Sequence, residues 1–383
     1  MAKVLDGIRI ADLSHALAAP SGTKLLGDLG AEVVKVERIG AGDFTRRLVP
    51  WVFESFNRGK KSVAVDLKSA EGIGVVRQLV ASSDVFVQAF RPGVAEAMGL
   101  GQDDLAALNP RLIYATFSGF GPDGPEAERR GFDGLLQAES GMVRLQDRIL
   151  GSTSFVDQAA GLLLSNAVLS ALLHRERTGE VGHVHISLLD TALYLQTAPI
   201  LEYSVTGHQL DQAGHEARNP TNAVFAAADG QIYIAVFFDD EWAALCQVLG
   251  LGELVTDPRF LTLADRQVNS ATLRELVGPA LAKHPRRFLV DQLEQQGIVA
   301  GEVRDYGEVL ANAQVTASGS IETLPTTSGA EGAFVRTPFR LSCFPDRSAA
   351  TAPRVGQHTR ELLASLGYSD DEQAGLLARG VVA

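Results

Sequence analysis

The sequence predicts an α/β protein: a large domain with a mostly parallel sheet, followed by a smaller α+β domain. Two observations lead to this class. Over the first 190 residues, short runs rich in β-branched residues alternate with helical stretches, which is the order of parallel strands joined by helices. From about residue 224, a hairpin pattern is followed by several helical segments. A chain of 383 residues, 46% apolar and 21% charged, has the composition of a globular protein.

Six strands are predicted in the first part of the chain, with helices between them. The helix predicted over residues 69–81 places Val75, Val76, Leu79 and Val80 on one broad face, which suits burial against a sheet. Ligands of parallel sheets bind beyond the carboxyl ends of the strands, and several of these ends carry polar or glycine-containing turns. The predicted strands cover residues 8–13, 32–36, 62–67, 84–90, 112–117 and 183–188.

The second half of the chain predicts a separate unit. The pattern loosens over residues 197–223, which we interpret as a linker, and residues 224–315 form the predicted small domain. Its first element is a hairpin with an Asp229-Gly230 turn. Residues 316–333, rich in Gly, Ser and Thr, are predicted to be a return linker. Helices are predicted over residues 241–249, 272–282 and 286–296, and in the tail over 358–366 and 370–379.

Charge and composition indicate which classes of partner and which cellular compartment to expect. A net charge of −12 argues against general nucleic-acid binding. No apolar run looks long enough to span a membrane, and the first residues lack the apolar core of a signal peptide, so we expect a cytoplasmic protein without a membrane partner. Cys246 and Cys343 lie far apart without metal-type spacing, which is typical of free thiols in a reducing compartment.

A carboxylate at a predicted helix start is the first candidate for chemistry. Asp157 lies where the loop Gly151-Ser-Thr-Ser gives way to a long apolar helical run. Free backbone N–H groups and the helix dipole stabilise a negative charge at such a position. The position by itself is more often that of an ordinary helix cap, so both interpretations stay open at this point.

Basic residues within the acidic chain indicate a second candidate site. Arg38 follows a predicted buried strand, and its planar guanidinium suits phosphate oxygens. Residues 57–68 add four positive charges. Together with Arg38 and Arg91 they could form a local anion site, although a solvated charged face explains the same run. His183 and His185 share one strand face, but no third ligand is apparent, so no metal site is expected.

Phrases spread in order over the whole chain point to one known family. They are Leu5-Asp-Gly-Ile-Arg-Ile-Ala-Asp-Leu-Ser, Leu26-Gly-Asp-Leu-Gly-Ala-Glu-Val-Val-Lys-Val-Glu, Asn57-Arg-Gly-Lys-Lys-Ser-Val-Ala-Val-Asp-Leu-Lys, Phe90-Arg-Pro-Gly-Val, Asn109-Pro-Arg-Leu-Ile-Tyr-Ala-Thr-Phe-Ser-Gly-Phe-Gly, Gly131-Phe-Asp, Ser187-Leu-Leu-Asp and Asp257-Pro-Arg-Phe. Together they resemble the class III CoA-transferases (the CaiB/BaiF family), which include formyl-CoA and carnitine CoA-transferases and related acyl-CoA racemases.

The resemblance implies an acyl-CoA:carboxylate CoA-transferase with Asp157 as its nucleophile. In the family scheme, this carboxylate attacks the donor thioester to give an acyl–aspartyl anhydride and CoA thiolate. The thiolate then attacks the aspartyl carbonyl, and the acceptor carboxylate resolves the resulting enzyme–CoA thioester. CoA is therefore expected as part of the substrate, with a small carboxylic acid as acceptor and no tightly bound cofactor.

The resemblance also implies which residues contact CoA. Leu17 stands where the formyl-CoA enzyme has Gln, so an oxalate- or formate-sized acceptor is not expected, and Ala89 stands where Asn is usual. Phe132 is expected to line the acyl or pantetheine channel, with Asp133 contributing polar contacts beside it. The implied CoA contacts are His15, Ala16, Leu17, Ala18, Arg38, Val65, Lys68, Ala89, Phe90, Arg91, Met98 and Arg130.

Two alternatives accompany this function. A 2-methylacyl-CoA racemase or epimerase of the same fold would need a His after Gly131 to move the proton alpha to the thioester. Phe132 occupies that position, and this favours transfer. The other alternative is a non-catalytic acyl-CoA-binding protein, against which the intact Asp157 argues.

Finally, the resemblance implies a domain order and an assembly. Residues 1–196 and 334–383 are expected to form together a Rossmann-like CoA-binding domain, into which the small domain is inserted. Family members form an interlocked homodimer, so we expect the same assembly here, with both chains contributing to the active site.

Overall fold

A six-stranded parallel sheet forms the centre of the larger of two units. The computed structural model describes residues 3–146, 148–151, 153–209, 211, 218, 220–342 and 350–383. The strands are β1 Arg9–Leu13, β2 Glu32–Glu37, β3 Lys61–Ala64, β4 Val85–Gln88, β5 Ile113–Ser118 and β6 His183–Ser187. All neighbours pair in parallel, in the order β3-β2-β1-β4-β5-β6. The six predicted strands are thus confirmed, and the strand order reverses between β1 and β4.

Both faces of this sheet are covered, because successive strand residues alternate between two apolar clusters. On β4, Val85 and Val87 belong to one cluster and Phe86 to the other. Strands buried on both faces appear in a sequence as nearly continuous apolar runs. The helices up to residue 206 are α1 Ala18–Asp28, α2 Thr45–Leu48, α3 Pro50–Asn57, α4 Ala70–Ala81, α5 Val94–Ala97, α6 Gln102–Leu108, α7 Asp133–Glu139, α8 Met142–Gln146, α9 Phe155–Thr178, α10 Leu188–Tyr194 and α11 Thr197–Thr206.

The 24-residue helix α9 crosses α1 at a glycine contact. A Cβ atom placed on Gly161 would lie 1.9 Å from Ser21 Oγ and 2.7 Å from the Ala18 carbonyl oxygen. A Cβ atom on Gly22 would likewise lie 2.7 Å from the Gly161 carbonyl oxygen. Only glycines therefore let the two helix backbones approach this closely.

Helix α9 corrects one expectation from the sequence. In the described part of the chain, it is the one helix long and apolar enough to cross a membrane, with a mean hydropathy of 1.4 over 18 residues. The expectation that no apolar run reaches this length is therefore wrong. A core helix of a globular domain has the same length and composition, and α9 buries Gly161, Leu164, Val168 and Leu172 along one stripe.

The smaller unit comprises Arg144–Arg148 and Leu201–Ser318, and the larger one Met1–Val143, Ile149–Ile200 and Gly319–Ala383. The predicted hairpin with the Asp229-Gly230 turn is formed, and a third antiparallel strand joins it. The elements of the smaller unit are β7 Asn222–Ala227, β8 Gly230–Ala235, α12 Asp239–Leu249, a 3₁₀ turn Gly252–Val255, α13 Leu263–Val268, α14 Ser270–Leu281, α15 Arg286–Gln295, β9 Val299–Glu302, α16 Tyr306–Leu310 and α17 Ala313–Ser318.

The core of the smaller unit centres on Trp242. Phe260 packs against it edge to face, with 6.2 Å between the ring centroids. The buried Arg266 guanidinium lies 5.5 Å from the indole, donates to the Phe260 carbonyl oxygen at 3.0 Å and pairs with Asp239 at 2.6 Å. Phe260 ends the phrase Asp257-Pro-Arg-Phe, which thus has a structural role in this core.

Two segments expected to be linkers contain regular structure. Helix α11 lies within residues 197–223, and none of its residues is buried. Within residues 316–333 the chain forms the antiparallel strands β10 Ile321–Pro325 and β11 Glu331–Val335. This hairpin belongs to the larger unit, together with the tail helices α18 Thr359–Ser365 and α19 Asp370–Ala378. Composition concealed it because few of its residues are large and apolar.

Candidate active site

A cleft of 590 Å³ lies at the carboxyl ends of β1, β2, β3 and β4, beside the point where the strand order reverses. Parallel sheets bind their ligands at this position. The cleft is therefore the candidate binding site. Its lining residues are Leu13, Ser14, His15, Lys35, Val36, Glu37, Arg38, Ala41, Gly42, Asp43, Phe44, Arg47, Leu48, Asp66, Leu67, Lys68 and Phe90.

Four of the predicted CoA contacts lie in this cleft. His15 follows β1 and packs edge to face against Phe44, with 6.0 Å between the ring centroids. From His15 the chain continues through Ala16 and Leu17 into α1, whose first residue is Ala18. The structure thus brings a predicted contact loop to the cleft wall. The four lining residues are His15, Arg38, Lys68 and Phe90.

The remaining predicted contacts lie outside this lining. Val65 is 1% exposed and packs in the apolar cluster behind the sheet, so its side chain is part of the core. Ala89 and Met98 pack against the two apolar clusters, and Arg91 and Arg130 are exposed. Their contact with CoA stays a prediction.

The basic run over residues 57–68 divides into different environments. Arg58 pairs with Glu322 of the hairpin, and Lys61 pairs with Glu32 and Glu361. Lys60 is buried. The run is thus neither one solvated face nor one anion site, because Lys68 is its sole cation in the described lining of the cleft.

Sequence reasoning missed a buried ion cluster on the floor of the cleft. We call Asp12, Lys35, Asp43 and Lys60 the floor cluster; Lys60 lies 3.0 Å from Asp12, and Lys35 lies 3.0 Å from Asp43. Burial alone would raise the pKa of Asp12, but the neighbouring Lys60 and Lys35 ammonium groups hold that pKa well below its usual range. A signal existed in the sequence, because Asp12 and Lys35 interrupt otherwise apolar strands.

Arg47 is a second omission from the sequence analysis. It lies on the short helix α2 and lines the same cleft as Arg38 and Lys68. Guanidinium groups bind phosphate oxygens in a bidentate manner. The cleft therefore offers Arg38, Arg47 and Lys68 to an anionic ligand.

Asp157 lies in the first turn of α9, two residues after its first residue, Phe155. Its backbone contacts the side chain of Asp133, the first residue of α7. Asp133 Oδ1 accepts hydrogen bonds from the backbone N–H groups of Val156 at 2.8 Å and Asp157 at 3.0 Å. Asp133, and not Asp157, therefore caps the start of α9.

A glutamine on α7 fixes Asp133 and the chain before α9. Gln137 Nε2 donates to Asp133 Oδ2 at 2.5 Å, and its Oε1 accepts from the Leu150 N–H at 2.8 Å. Gln137 is fully buried and Asp133 nearly so. The sequence predicted only that Asp133 would make polar contacts nearby. In the structure it binds the backbone at the start of α9.

The electrostatics of Asp157 are opposite to the expected stabilisation. Burial, with the Asp133 carboxylate as a second cause, raises the pKa of Asp157 to about 7. The N–H groups expected to stabilise its charge are instead taken by Asp133. Perturbed carboxyl groups of this kind are concentrated at functional sites.

This shift predicts how stability changes with pH. Between about pH 4 and pH 7 the folded protein keeps a proton on Asp157 that the unfolded chain has lost, so the free energy of unfolding falls as the pH rises. The free energy of unfolding of Asp157→Asn, relative to that of wild type, is expected to increase by about 2 kcal/mol between pH 4.5 and pH 8. This is less than the whole pKa shift would give, because the site is partly solvated. Urea titrations at both pH values measure this difference.

The matched control is Asp104→Asn. Asp104 occupies the same first-turn position on α6 and is exposed. Its substitution is expected to leave the slope of stability against pH close to that of wild type. Equal slopes for wild type and Asp157→Asn would contradict the raised pKa.

Phe132 directly precedes Asp133, the residue that binds the start of α9, and follows a glycine that touches the chain after β5. A Cβ atom on Gly131 would lie 2.5 Å from the Gly119 Cα, so the backbone after β5 and the backbone before Phe132 touch. The Phe132 side chain is 63% exposed. This geometry leaves its phenyl ring available to an acyl or pantetheine chain.

The α1–α9 crossing connects Asp157 with the cleft loop. Gly161 lies one turn after Asp157 on the same helix face, and it contacts Ala18 and Ser21 of the first turn of α1. The loop before α1 starts at Ser14 and His15 in the cleft wall. Asp157 and the loop that starts at Ser14 are therefore linked through the contact of the two helices.

The paired histidines contact each other at the edge of the sheet, with their ring planes tilted by 37°. His183 and His185 lie on β6 with 4.8 Å between their ring centroids. Burial, with the neighbouring His185 as a second cause, lowers the pKa of His183 to about 4. Within the described residues, no group of three potential metal ligands occurs.

Comparisons with known proteins show the family to which this chain belongs. A family model described as CoA-transferase family III matches residues 5–359. An acetyl-CoA:oxalate CoA-transferase of Acetobacter aceti is 37% identical over 328 residues, covering 82% of this chain and 84% of that protein. A succinyl-CoA:glutarate CoA-transferase of Mus musculus is 33% identical over 395 residues, covering 99% of this chain and 90% of that protein.

A solved structure agrees over nearly the whole chain. The crystal structure of a CAIB/BAIF family protein from Brucella suis has a TM-score of 0.87 to this structure at 32% identity, covering 96% of this chain and 100% of that one. This chain therefore belongs to CoA-transferase family III and is an acyl-CoA:carboxylate CoA-transferase that uses CoA thioesters as substrates.

Proposed function

We propose that Asp157 carries CoA between two carboxylic acids as a covalent aspartyl–CoA thioester. The observation that supports this most is a raised-pKa carboxylate, next to the Asp133–Gln137 contacts, one helix turn before Gly161, which contacts the first turn of α1. A carboxylate of higher pKa is a stronger nucleophile than an ordinary aspartate. The site thus combines a nucleophile with a neighbouring cationic cleft.

The bond changes of this route balance without water. Asp157 attacks the donor acyl carbon, the C–S bond breaks, and CoA leaves as thiolate. The thiolate attacks the Asp157 carbonyl carbon and releases the donor acid, which leaves the aspartyl–CoA thioester. The acceptor carboxylate attacks the same carbon and expels thiolate, which then takes the acceptor acyl group and frees Asp157. The thioester energy is conserved as long as water is excluded.

We propose that backbone donors at the start of α1 bind the oxyanions of these steps. Leu17 precedes α1 without a side-chain hydrogen bond to the helix start, and the first turn of α1 contains no acidic residue. Free N–H groups and the positive end of the helix dipole stabilise a developing negative charge. We propose the N–H groups of Ala18 and Ala19 for this role.

Activity is expected to depend on pH through the nucleophile. Only the ionised Asp157 attacks, so kcat/KM for the acyl-CoA is expected to rise from pH 5.5 and to level off above an apparent pKa of about 7. Initial rates in a constant-ionic-strength buffer series measure this profile. A profile that is flat from pH 5.5 to pH 8.5 would contradict the proposed ionisation.

The acids that exchange CoA are proposed from the side chains near Asp157. Leu17 is buried directly before α1, Phe132 is exposed directly before Asp133, and both are apolar. We propose a donor or acceptor with an apolar acyl chain, in contrast to the oxalate named for the Acetobacter aceti relative.

A donor–acceptor panel tests the proposed transfer. Acetyl-, succinyl-, butyryl- and octanoyl-CoA are each incubated with oxalate, glutarate and straight-chain acids, and new acyl-CoA esters are measured by mass spectrometry. Transfer to at least one straight-chain acid is the expected result. Hydrolysis without transfer, or exchange of the alpha proton with deuterated solvent in the absence of an acceptor, would contradict it.

We also propose an interlocked homodimer with a Rossmann-like large domain. The support is the apolar exposed surface of α10 and α11: Tyr194 is 71% exposed, Leu201 63% and Val205 77%. Monomers rarely leave such patches uncovered. Light scattering after gel filtration is expected to give twice the chain mass, and a monomer at micromolar concentration would contradict the proposal.

A further inference from the structure

We infer that the floor cluster of Asp12, Lys35, Asp43 and Lys60 positions the loop Ser14–Leu17 for CoA transfer. The inference rests on the proposed function, because this loop leads into the helix start proposed to stabilise the oxyanions. Lys35 and Asp43 contribute to the cleft lining, but the Lys35 ammonium group is bound by Asp43 and by the Ser14 carbonyl oxygen. The four side chains act through the loop and are positioning residues.

The loop has a backbone conformation that needs support. Ala16 has φ of +67°, in the left-handed region that non-glycine residues rarely adopt. Such strain persists where the surroundings determine the conformation, and it is concentrated at functional sites. Ala16 lies between His15 of the cleft wall and Leu17 at the start of α1.

The floor cluster fixes the first end of the loop at Ser14. Asp12 Oδ1 accepts hydrogen bonds from the Ser14 N–H at 3.0 Å and from its hydroxyl. Lys35 Nζ donates to the Ser14 carbonyl oxygen at 2.8 Å. Every polar group of Ser14 is therefore bound to the floor cluster.

The same cluster fixes the other end of the loop at α1. Lys60 Nζ donates to the Pro20 carbonyl oxygen at 2.9 Å and to Thr23 Oγ1 at 2.8 Å. It also donates to Asp12 Oδ2 at 3.0 Å. One ammonium group thus connects the end of β1 with the first turns of α1, and Ala16 lies on the chain between them.

Stability alone does not account for a cluster of this kind. The four side chains are at most 1% exposed, and their two positive and two negative charges balance. Buried ion pairs lose so much hydration that apolar replacements of similar volume are often as stable or more stable. What directional hydrogen bonds add is a single backbone conformation, which a catalytic loop requires.

Two variants test the positioning role. Lys35→Met removes the donor to Ser14, and a loop displacement on the order of 1 Å is expected to lower kcat about 100-fold. Ala16→Gly relieves the strain and gives the loop freedom, and its kcat is expected to fall about 10-fold with no loss of thermal stability. For both, the dissociation constant of CoA, measured by calorimetry, is expected to change by less than about threefold.

Two further variants separate positioning from a general loss of fold. Lys61→Met removes the next lysine along the chain, which pairs with Glu32 and Glu361 outside the cleft, and its kcat is expected to match wild type. Lys35→Arg retains a charged donor and is expected to recover part of the lost kcat. Should Lys35→Met fail to fold, Ala16→Gly decides the question.

The outcomes distinguish this inference from the proposed function. A wild-type protein that transfers CoA, together with Ala16→Gly and folded Lys35→Met variants within about twofold of its kcat, overturns the positioning role alone. A wild-type protein without transfer on the full panel overturns the proposed function, and the positioning role with it. A drop in thermal stability with unchanged kcat assigns the floor cluster to the fold only.

Discussion

Replacing Asp157 by asparagine is expected to lower kcat for CoA transfer by about 10⁴-fold or more, as removal of a covalent nucleophile does in other enzymes. The asparagine side chain has nearly the same shape and cannot form the anhydride or the thioester. The backbone contacts of residue 157 with Asp133 remain, so the fold and CoA binding are expected to be retained. Steady-state rates and CoA calorimetry on the same preparation measure both quantities.

Trapping gives an independent readout for the same residue. Wild-type protein incubated with donor alone is expected to carry CoA on Asp157, which hydroxylamine converts to a hydroxamate visible in peptide mass spectra. Asp157→Asn is expected to show neither product. Asp104→Asn, with the same substitution at the same first-turn position of α6, serves as the control and keeps wild-type activity. An Asp157→Asn protein with normal transfer would exclude Asp157 as the nucleophile.

Gly161→Ala is expected to disrupt the contact between α1 and α9 in the larger unit. The added Cβ would lie 1.9 Å from Ser21 Oγ and 2.7 Å from the Ala18 carbonyl oxygen, so α1 and α9 must separate. Overpacking of this kind lowers the free energy of unfolding by about 1–3 kcal/mol. Because the added methyl group meets backbone as well as a side chain, we expect a loss at the upper end of this range or above it. Urea denaturation measures the loss of stability.

The same change is expected to reduce activity in whatever fraction remains folded. Separation of the helices moves the first turn of α1 away from Asp157, and a shift on the order of 1 Å lowers kcat about 100-fold. The matched control is Gly74→Ala on α4, where the added Cβ meets no atom within 4 Å. This control is expected to gain up to about 1 kcal/mol from helix propensity. Equal stability of the two variants would contradict the tight crossing.

Parts of the fold followed directly from local sequence patterns. The β4 run Val85-Phe-Val-Gln is apolar on both faces, and such runs are readable without knowledge of their partners. The Asp229-Gly230 turn specified its hairpin in the same local way. The hairpin of β10 and β11 was missed because its burial is confined to a few residues such as Leu324 and Phe334, which composition does not distinguish from a linker.

The candidate site was only partly readable from the sequence. His15, Arg38, Lys68 and Phe90 were predicted through resemblance, and the structure gathers them in one cleft. Arg47 was missed because an exposed arginine on a four-residue helix has no distinguishing local pattern. Lys60 was grouped with a basic run, although it is buried under the cleft floor.

The sequence by itself determined the strands, the long helix, the family and the identity of the nucleophile candidate, because these depend on residue type and on order along the chain. The tertiary structure alone decided the electrostatics of Asp157. Its position at a helix start predicts a stabilised charge, yet burial and Asp133 raise its pKa to about 7. Asp133 is 24 residues earlier in the chain, and burial and proximity of this kind arise only when separate elements pack together.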